Sequence, residues 1–314
     1  MELGKIKVGV LGGGISAERE ISLISAKGVH QALIAKGFNA DLIDISTAQE
    51  AKIKEVIKLH DIALAFVALH GEFGEDGKIQ SILEDLGLIY TGSGPKASLR
   101  AMDKALSKDI FLKNHIPTPE FFVCSDDKGI LSDFGYPLVV KPVNSGSSLG
   151  VSIVNSEAGL KPALKKAFSY NDKIIVEKYI EGREITVGIL DDRALGVVEI
   201  VAKEGYYDFD TKYSDGKADF IVPAKLEDRV YKEIQRVGLA AHKALGCRHF
   251  SRADIRLGND GIPYVLEVNS IPGLTSHSLL PLSAKVCGVS YDDLIVKMLE
   301  LALYGKKRSK TQKV

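Results

Sequence analysis

The sequence predicts an α/β protein in which an N-terminal parallel sheet flanked by helices precedes an α+β region in two parts. The first observation is an apolar strand at Lys7–Leu11 that runs through the Gly12–Gly14 turn into apolar residues at helical spacing. The second is that Asp41–Ile45 and Ile62–Leu69 look like strands and alternate with helix-like segments, a pattern that builds a parallel sheet. The third is that strand-like segments predominate from Glu184 onwards.

The remaining elements divide the chain after this first sheet. The middle part begins with a helical stretch at 97–113 and continues through apolar runs at 137–141, 150–154 and 173–178. The last part contains predicted strands at 185–190 and 194–200 and a long polar segment at 203–219. Helices are predicted at 228–245 and 291–304. We therefore predict domains at 1–95, 96–182 and 183–314.

Length, charge and cysteine usage exclude several classes of protein. The 314 residues are 45% hydrophobic, which is enough for substantial cores. The 41 basic residues balance the 41 acidic ones, so no overall field would attract nucleic acid or a membrane surface. No stretch approaches the ~20 apolar residues of a membrane span. Cys124, Cys247 and Cys287 lie far apart, which is typical of a reducing compartment and predicts a cytoplasmic protein.

The Gly12–Gly14 turn lies where a strand ends and a helix begins, a position that favours an anion. Its glycine spacing differs from that of the dinucleotide fingerprint, and a plain tight turn is an alternative to a ligand site. Glu18 follows in the first helical turn. Its carboxylate could hold an ammonium group above the edge of the sheet, or it could simply complement the helix dipole.

A glycine- and serine-rich loop at Asn144–Gly150 separates two predicted strands. Its backbone N–H groups and hydroxyls could fold over phosphates, although such loops are commonly only turns. Lys141 precedes the loop, and a lysine that leaves a buried strand needs an anionic partner or a route to water. The lysine and the loop together favour a phosphate site.

The stretch from Arg252 to Asn269 predicts a β-hairpin around a two-residue Asp-Gly turn at 260–261. That turn places Asp254 opposite Glu267 and Arg252 opposite Asn269, and alternation puts all four side chains on one face. Opposed carboxylates repel each other, and a divalent cation would resolve the conflict. Two carboxylates and an amide suit Mg²⁺ or Mn²⁺ rather than zinc or copper. A solvated hairpin face is the alternative.

Two further segments could contact a ligand. His70 directly follows a buried strand, where open α/β sheets bind their ligands, and a local role in the turn is the alternative. The segment Tyr206–Tyr213 is too polar for a core but rich in tyrosine. It suggests a loop that closes over a site, with an ordinary surface loop as the alternative.

These elements occur together in an order that resembles the D-alanine–D-alanine ligases of the ATP-grasp superfamily, from about residue 7 to about residue 304. The stretches that carry the resemblance are Gly-Gly-Gly-Ile-Ser-Ala-Glu-Arg-Glu-Ile-Ser-Leu at 12–23, Leu-His-Gly-Glu-Phe-Gly-Glu-Asp-Gly at 69–77, Tyr-Thr-Gly-Ser-Gly at 90–94, Met-Asp-Lys at 102–104, Gly-Ser-Ser-Leu-Gly-Val at 146–151 and Glu-Val-Asn-Ser-Ile-Pro-Gly-Leu-Thr-Ser-His-Ser at 267–278. The resemblance implies a Rossmann-like N-terminal substrate domain followed by a two-part ATP-grasp fold, whose central part carries the glycine-rich loop and whose C-terminal part carries a lid loop and the metal site.

The resemblance further implies that ATP lies between the second and third domains. Lysines would hold its phosphates, four consecutive residues would contact the adenine edge, and an acidic residue would bind the ribose. In that order, these residues are Lys104 and Lys141, then Glu177, Lys178, Tyr179 and Ile180, then Glu184. Lys212 would steady the transferring phosphoryl group. Asp254, Glu267 and Asn269 match the family's site for two Mg²⁺ or Mn²⁺ ions.

The activity that the resemblance implies is ADP-forming synthesis of D-alanyl-D-alanine, through D-alanyl phosphate, for peptidoglycan precursors. Glu18, Ser147 and Tyr213 match a hydrogen-bonded trio that joins the first substrate, the glycine-rich loop and the lid. The implied substrate contacts also include His70, an oxyanion site and a carboxylate site. The oxyanion site is Arg252 with the N–H of Gly273, and the carboxylate site is Ser278 with Leu279.

The second substrate is less sharply defined by the resemblance. Tyr213 resembles the lid residue of the dipeptide-forming type, which favours D-alanine over D-lactate. Another ATP-grasp carboxylate–amine ligase, such as a D-alanine–D-serine or D-alanine–D-lactate ligase, is the alternative, but Glu18 and the 267–278 segment favour the alanine enzyme. A regulatory protein without turnover would be expected to lack Arg252 or Glu267. The family resemblance also implies a homodimer.

Overall fold

Across residues 6–126, 135–203 and 217–311, which the computed structural model describes, the strands form three sheets. Within these ranges, no helix is both long enough and apolar enough to cross a membrane. The prediction of an α/β protein with a parallel sheet ahead of mixed α+β structure is confirmed.

The first sheet has the strand order β2-β1-β3-β4, and its strands are parallel, as predicted. Its elements are β1 (Lys7–Gly13), α1 (Arg19–Ala35), β2 (Asn39–Ile45), α2 (Glu50–Leu59), β3 (Leu64–Val67), α3 (Lys78–Asp85) and β4 (Ile89–Tyr90). Apolar side chains such as Val10 and Phe66 are fully buried between the sheet and its helices. The carboxyl ends of β1 and β3 therefore meet at one edge, where the chain turns into α1 and into the loop after Val67.

The second sheet has the order β5-β8-β6-β7 and is antiparallel. Its elements are α4 (Pro95–Met102), α5 (Lys104–Lys113), β5 (Phe121–Cys124), β6 (Leu138–Pro142), β7 (Ser152–Val154), α6 (Glu157–Phe168) and β8 (Ile174–Lys178). The helical stretch predicted at 97–113 forms two helices, α4 and α5. The helix is broken at Asp103, whose extended backbone ends α4 and whose carboxylate accepts the N–H of Leu106 at 2.8 Å as the N-cap of α5.

The third sheet has the order β11-β10-β9-β12-β13, is antiparallel, and packs beneath a long helix. Its elements are β9 (Gly182–Leu190), β10 (Arg193–Ala202), β11 (Ala218–Ile221), α7 (Asp228–Leu245), β12 (Phe250–Gly258), β13 (Pro263–Asn269), α8 (Leu279–Val286) and α9 (Tyr291–Thr311). Helix α9 returns to the first sheet, because Leu294 and Met298 are buried in one cluster with Val8 and Val10.

The hairpin of β12 and β13 has the predicted pairing at the end that carries the acidic residues. Arg252 lies opposite Asn269, and Asp254 lies opposite Glu267. The strand β9 borders β12 on its other side, so both strands of the hairpin are held in the sheet.

The turn that leads to this pairing differs from the predicted one. Leu257 pairs with Pro263, and the loop has three residues, 259–261, rather than two. Gly261 adopts φ 79°, the left-handed conformation that a three-residue loop requires at this position. A bulge at Leu266 then restores the pairing that the shorter turn would have given. The prediction of a two-residue turn is therefore wrong, and the bulge compensates for the one-residue shift in register that the longer loop introduces.

Candidate active site

The corner between β1 and α1 holds Glu18 against the glycine-rich loop. Glu18 is 7% exposed, and the hydroxyl of Ser147 donates a hydrogen bond to its Oε1. Two glycines lie against the other oxygen, because a Cβ on Gly71 or Gly146 would lie 2.6 or 2.8 Å from Oε2. Glycine is needed at both positions for the carboxylate to reach this place. The first sheet and the loop after β6 therefore meet at Glu18.

The glycine-rich loop between β6 and β7 is held in an unusual backbone conformation. Ser147 and Ser148 have φ values of 49° and 59°, in the left-handed region that few residues with side chains adopt. Lys104 holds the start of the loop, because its Nζ donates a 2.7 Å hydrogen bond to the carbonyl oxygen of Ser145. Its ammonium group also lies 3.1 Å from Oε2 of Glu267. The structure thus brings Lys104 between the loop and the acidic hairpin.

The carboxylate of Glu177 lies between the ammonium groups of Lys141 and Lys108. It is 2% exposed, and its oxygens lie 2.6 Å from Nζ of Lys141 and 2.9 Å from Nζ of Lys108. Burial alone would raise the pKa of Glu177, but the two cations hold it below its ordinary value. Lys108 was not among the predicted site residues. Its position one helical turn after Lys104 is the signal that could have found it.

A cleft between the second and third sheets joins these groups. It is lined by charged and polar residues together with apolar ones such as Val139, Ile153 and Leu266. The predicted nucleotide-binding residues that line it are Lys104, Lys141, Glu177, Lys178, Tyr179, Ile180 and Glu184. Lys212 and Tyr213 lie outside the described residues.

Arg256 organises the end of this cleft near Glu184 and was not predicted. Its guanidinium donates to the Tyr179 hydroxyl at 2.8 Å and lies 3.3 Å from Oε2 of Glu184. It also donates to the carbonyl oxygen of Ile180 at 3.0 Å. This pairing fixes the 179–180 backbone against β12, and the alternation of Arg252, Asp254 and Arg256 along the strand is the signal that points to it.

The acidic face of the hairpin carries the predicted metal ligands. Asp254 accepts two hydrogen bonds from Arg252, at 2.8 and 2.7 Å, one from Thr186 at 2.7 Å and one from Asn269 at 3.0 Å. Glu267 pairs with Lys104. Side chains of the protein thus supply positive charge to both carboxylates, so Arg252 and Lys104 offset part of the repulsion that a bound cation was predicted to relieve.

The chemistry of this donor set still fits a hard divalent cation. Two carboxylates and the amide of Asn269 supply oxygen ligands from one face of the hairpin. Within the described residues, no group of three His, Cys, Asp or Glu side chains is arranged to hold a metal. A cation bound here would depend on Asp254, Glu267 and Asn269, with further oxygen ligands from the nucleotide and water.

His70 lies behind Glu18 at the carboxyl end of β3. It is 4% exposed, its Nε2 lies 2.9 Å from the hydroxyl oxygen of Ser25, and its Nδ1 lies 3.6 Å from Oε1 of Glu75. Burial raises the pKa of Glu75, and the charge of Glu18 adds to the shift, while His70 and Arg252 oppose it. Glu75 was missed, although it lies in the same 69–77 stretch as His70.

The segment before α8 is a compact turn. Gly273 lies against Ser278, since a Cβ on the glycine would lie 2.9 Å from the Ser278 hydroxyl oxygen, and Thr275 donates its N–H to that oxygen at 3.1 Å. Leu279 is the first residue of α8, and its side chain is 5% exposed in a cluster with Val198. Any ligand contact at Leu279 would therefore use its backbone N–H, one of the unpaired donors of a helix start.

The three sheets, the lysine-lined cleft and the acidic hairpin define an ATP-grasp ligase. The family model for the "D-ala D-ala ligase C-terminus" matches residues 122–300, and that for the "D-ala D-ala ligase N-terminus" matches residues 45–93. The D-alanine–D-alanine ligase of Geotalea uraniireducens is 47% identical over 96% of this chain and 97% of its own length, and that of Pelobacter propionicus is 48% identical over 93% and 94%. The chain belongs to the D-alanine–D-alanine ligase family.

Solved structures agree with this assignment. The Bacillus anthracis D-alanine–D-alanine ligase complexed with ATP has a TM-score of 0.83 and 33% identity, covering 97% of this chain and 99% of that one. The VanG D-Ala:D-Ser ligase of Enterococcus faecalis has a TM-score of 0.82 and 30% identity, with 95% and 99% covered. The predicted recognition of the family is confirmed.

Proposed function

We propose that this protein joins two D-alanine molecules into D-alanyl-D-alanine and converts ATP to ADP and phosphate. The observation that carries the proposal is the hydrogen bond from Ser147 to Glu18, which places a buried carboxylate of the first sheet against the glycine-rich loop of the nucleotide cleft. A carboxylate there can hold the ammonium group of the first D-alanine next to the γ-phosphate. Family membership and close relatives over nearly the full chain support the same activity.

The nucleotide would lie in the cleft with its phosphates towards Lys104 and Lys141. The base would contact residues 177–180 and the ribose Glu184. Two Mg²⁺ or Mn²⁺ ions held by Asp254, Glu267 and Asn269 would neutralise charge that develops on the phosphate oxygens. Lys212 and Tyr213, which lie outside the described residues, are proposed to steady the transferring group and to close the lid.

The chemistry has two steps. A carboxylate oxygen of the first D-alanine forms a bond to the γ-phosphorus, and the bond from that phosphorus to ADP breaks. The amine nitrogen of the second D-alanine, after losing a proton, then bonds to the carbonyl carbon, and phosphate leaves. Arg252 and the Gly273 N–H would stabilise the oxyanion of the second step. His70 would contact the first substrate, and Ser278 with the Leu279 N–H would hold the second carboxylate.

The product fits the synthesis of peptidoglycan precursors, and we propose that the protein works in the cytoplasm as a homodimer. The domains would be a substrate domain at 1–95, a central subdomain at 96–182 and a C-terminal subdomain at 183–314. The relatives support these assignments through their family, and size measurement in solution would test the dimer.

A product assay tests the activity. Purified protein with ATP, Mg²⁺ and D-alanine is expected to release ADP and phosphate in equal amounts with D-alanyl-D-alanine. Offering D-serine or D-lactate in competition tests the second substrate, and D-alanyl-D-alanine is expected to remain the main product. Absence of dipeptide across a range of pH and K⁺ concentration would refute the proposal, and a mainly mixed product would refute the substrate assignment.

A further inference from the structure

Lys108 is a charged residue buried in the protein interior beside the nucleotide cleft. It is fully buried on the inner side of α5, one turn after Lys104. Removing an ammonium group from water is costly unless anionic or polar partners compensate for the lost hydration. None of the steps described above uses Lys108, so its burial calls for another explanation.

The partners of Lys108 place it behind the wall of the cleft. Its Nζ lies 2.9 Å from Oε2 of Glu177 and 2.7 Å from the hydroxyl oxygen of Thr118. Thr118 in turn donates to the carbonyl oxygen of Val265 on β13. Lys108 thus contacts Glu177 from behind, whereas Lys141 contacts it from the cleft side, because Lys141 and Glu177 line the cleft and Lys108 does not.

We propose that Lys108 is a positioning residue for nucleotide binding: it keeps Glu177 charged and in place when Lys141 turns from Glu177 towards a phosphate of ATP. The proposal rests on the proposed role of Lys141 as a phosphate ligand. It assigns to Lys108 the part of a counter-charge that stays beside Glu177, and to Lys141 the part of a cation that is shared between Glu177 and the nucleotide.

The geometry requires such a counter-charge. A Glu177 carboxylate that is 2% exposed cannot be hydrated by water, so when Lys141 moves away it must either keep a second cation or take up a proton. Lys108 supplies that cation, and Thr118 holds the ammonium group in position. The base end of the cleft then retains an ionised acceptor, which suits an exocyclic amino group of a purine.

Other charged groups nearby do not replace Lys108. Across the described chain, the groups facing Glu177 from packed elements are Lys141 on β6 and Lys108 on α5. Lys104 on α5 and Glu267 on β13 are the next charges, and these pair with each other at 3.1 Å. Lys178, the next residue on β8, is exposed. Removal of Lys108 would therefore leave Lys141 as the cation nearest to Glu177.

The experiment compares Lys108→Met with Lys113→Met, an exposed lysine on the same helix. ADP with Mg²⁺ is titrated calorimetrically into each protein, without D-alanine, in two buffers of different ionisation enthalpy. Lys108→Met is expected to bind ADP roughly tenfold more weakly than wild type and to take up roughly one proton more on binding, because Glu177 is protonated as Lys141 leaves it. Lys113→Met is expected to match wild type in both measurements.

A second pair of variants separates this role from a merely structural one. In Glu177→Gln the charge that Lys108 balances is absent, so adding Lys108→Met is expected to change the ADP dissociation constant by less than about threefold. If Lys108→Met alone does not fold, the comparison of Glu177→Gln with the double variant still tests the proposal. The proposal is overturned if Lys108→Met binds ADP with wild-type affinity and no extra proton, or if the double variant loses a further tenfold. Failure of dipeptide synthesis by the wild type would instead contradict the proposed function.

Discussion

Glu267 pairs with Lys104 on the acidic face of the hairpin. Replacing Glu267 with Gln is expected to lower ADP release at least roughly 100-fold, because the proposed cation loses a charged ligand. Stability is expected to fall by about 1–3 kcal/mol, because the ammonium group of Lys104, whose side chain is only 9% exposed, loses its charged partner. Steady-state kinetics and thermal unfolding measure the two effects.

Glu233→Gln is a matched control, because Glu233 makes an exposed ion pair with Arg236 on α7. It should leave turnover unchanged. Turnover close to that of wild type in Glu267→Gln would show that Glu267 is not a ligand.

Gly146 leaves space that Glu18 occupies, since a Cβ there would lie 2.8 Å from Oε2. Gly146→Ala is therefore expected to push the carboxylate away and to raise KM for the first D-alanine roughly tenfold, about the effect of one charge-assisted hydrogen bond. Substrate-dependence kinetics measure it. Gly159→Ala is the control, because its Cβ would meet Val154 at an ordinary 3.4 Å. An unchanged KM in Gly146→Ala would disprove the role of this corner.

His242 is completely buried on α7, and its Nδ1 lies 2.6 Å from the Ser251 hydroxyl oxygen. Burial lowers the pKa of His242 to about 4 from an ordinary 6.5, so the folded protein binds fewer protons than the unfolded chain between these values. Stability from this group is present above pH 6.5 and is lost as pH falls towards 4, by up to ~3 kcal/mol.

Denaturant unfolding at several pH values tests this expectation. In His242→Asn, which can keep the hydrogen bond to Ser251, the dependence of stability on pH between 4 and 6.5 should become shallower. An identical slope in the variant and the wild type would assign the acid sensitivity to other groups.

At the scale of elements, the break at Asp103 orients α5 towards the cleft, since the first residue of α5 is Lys104 and its N–H donates to the carbonyl oxygen of Val143 at 3.1 Å. Asp103→Ala is expected to cost about 1 kcal/mol of stability through loss of the N-cap. It should also raise KM for ATP several-fold, because α5 carries both Lys104 and Lys108. Asp109→Ala, on the exposed side of α5, should do neither.

The types of the elements were predictable from periodicity, but breaks in helices and shifts in strand register were not. Ile62–Leu69 is apolar throughout and was recognised as a strand of a parallel sheet. The break at Asp103 lies within an unbroken helical pattern, and only its cap distinguishes it. The bulge at Leu266 leaves only a weak local signal, because it disturbs the alternation between Tyr264 and Glu267 at a single position.

Site residues were predictable where their chemistry and their position in the sequence agreed. They were missed where only packing in the protein interior explains their role. Glu18 was proposed from its position in the first helical turn and its pairing with Ser147 from the resemblance, and the structure brings the two together. Lys108 and Glu75 read as ordinary helix and loop charges in the sequence. Their burial depends on which elements pack together, and single-sequence patterns do not contain that information.

At the scale of the whole molecule, the first sheet shares its core with the last helix. Met298→Ala on α9 is expected to destabilise the protein by about 2–5 kcal/mol, since it removes a fully buried side chain from the cluster that holds Val8 and Val10. Denaturant unfolding measures the loss, and Lys297→Ala, whose side chain is 37% exposed, should have little effect. A loss below ~1 kcal/mol would show that the site relaxes to fill the space.

The sequence predicted the terminal helix but not its partner. An apolar stripe shows that one face of α9 is buried, and it does not say whether the neighbouring third sheet or the distant first sheet covers that face. The same limit explains why domain boundaries drawn at 95 and 182 remain proposals.

Because α9 covers the first sheet, the order of synthesis differs from the order of assembly. The strands β1–β4 leave the ribosome first, yet Val8, Val10 and their neighbours lack the covering side chains of Leu294 and Met298 until α9 has been made. A nascent chain would therefore expose part of this apolar cluster for most of its translation, the condition in which chaperones bind and aggregation competes with folding. Slowed translation before α9 is made should increase both.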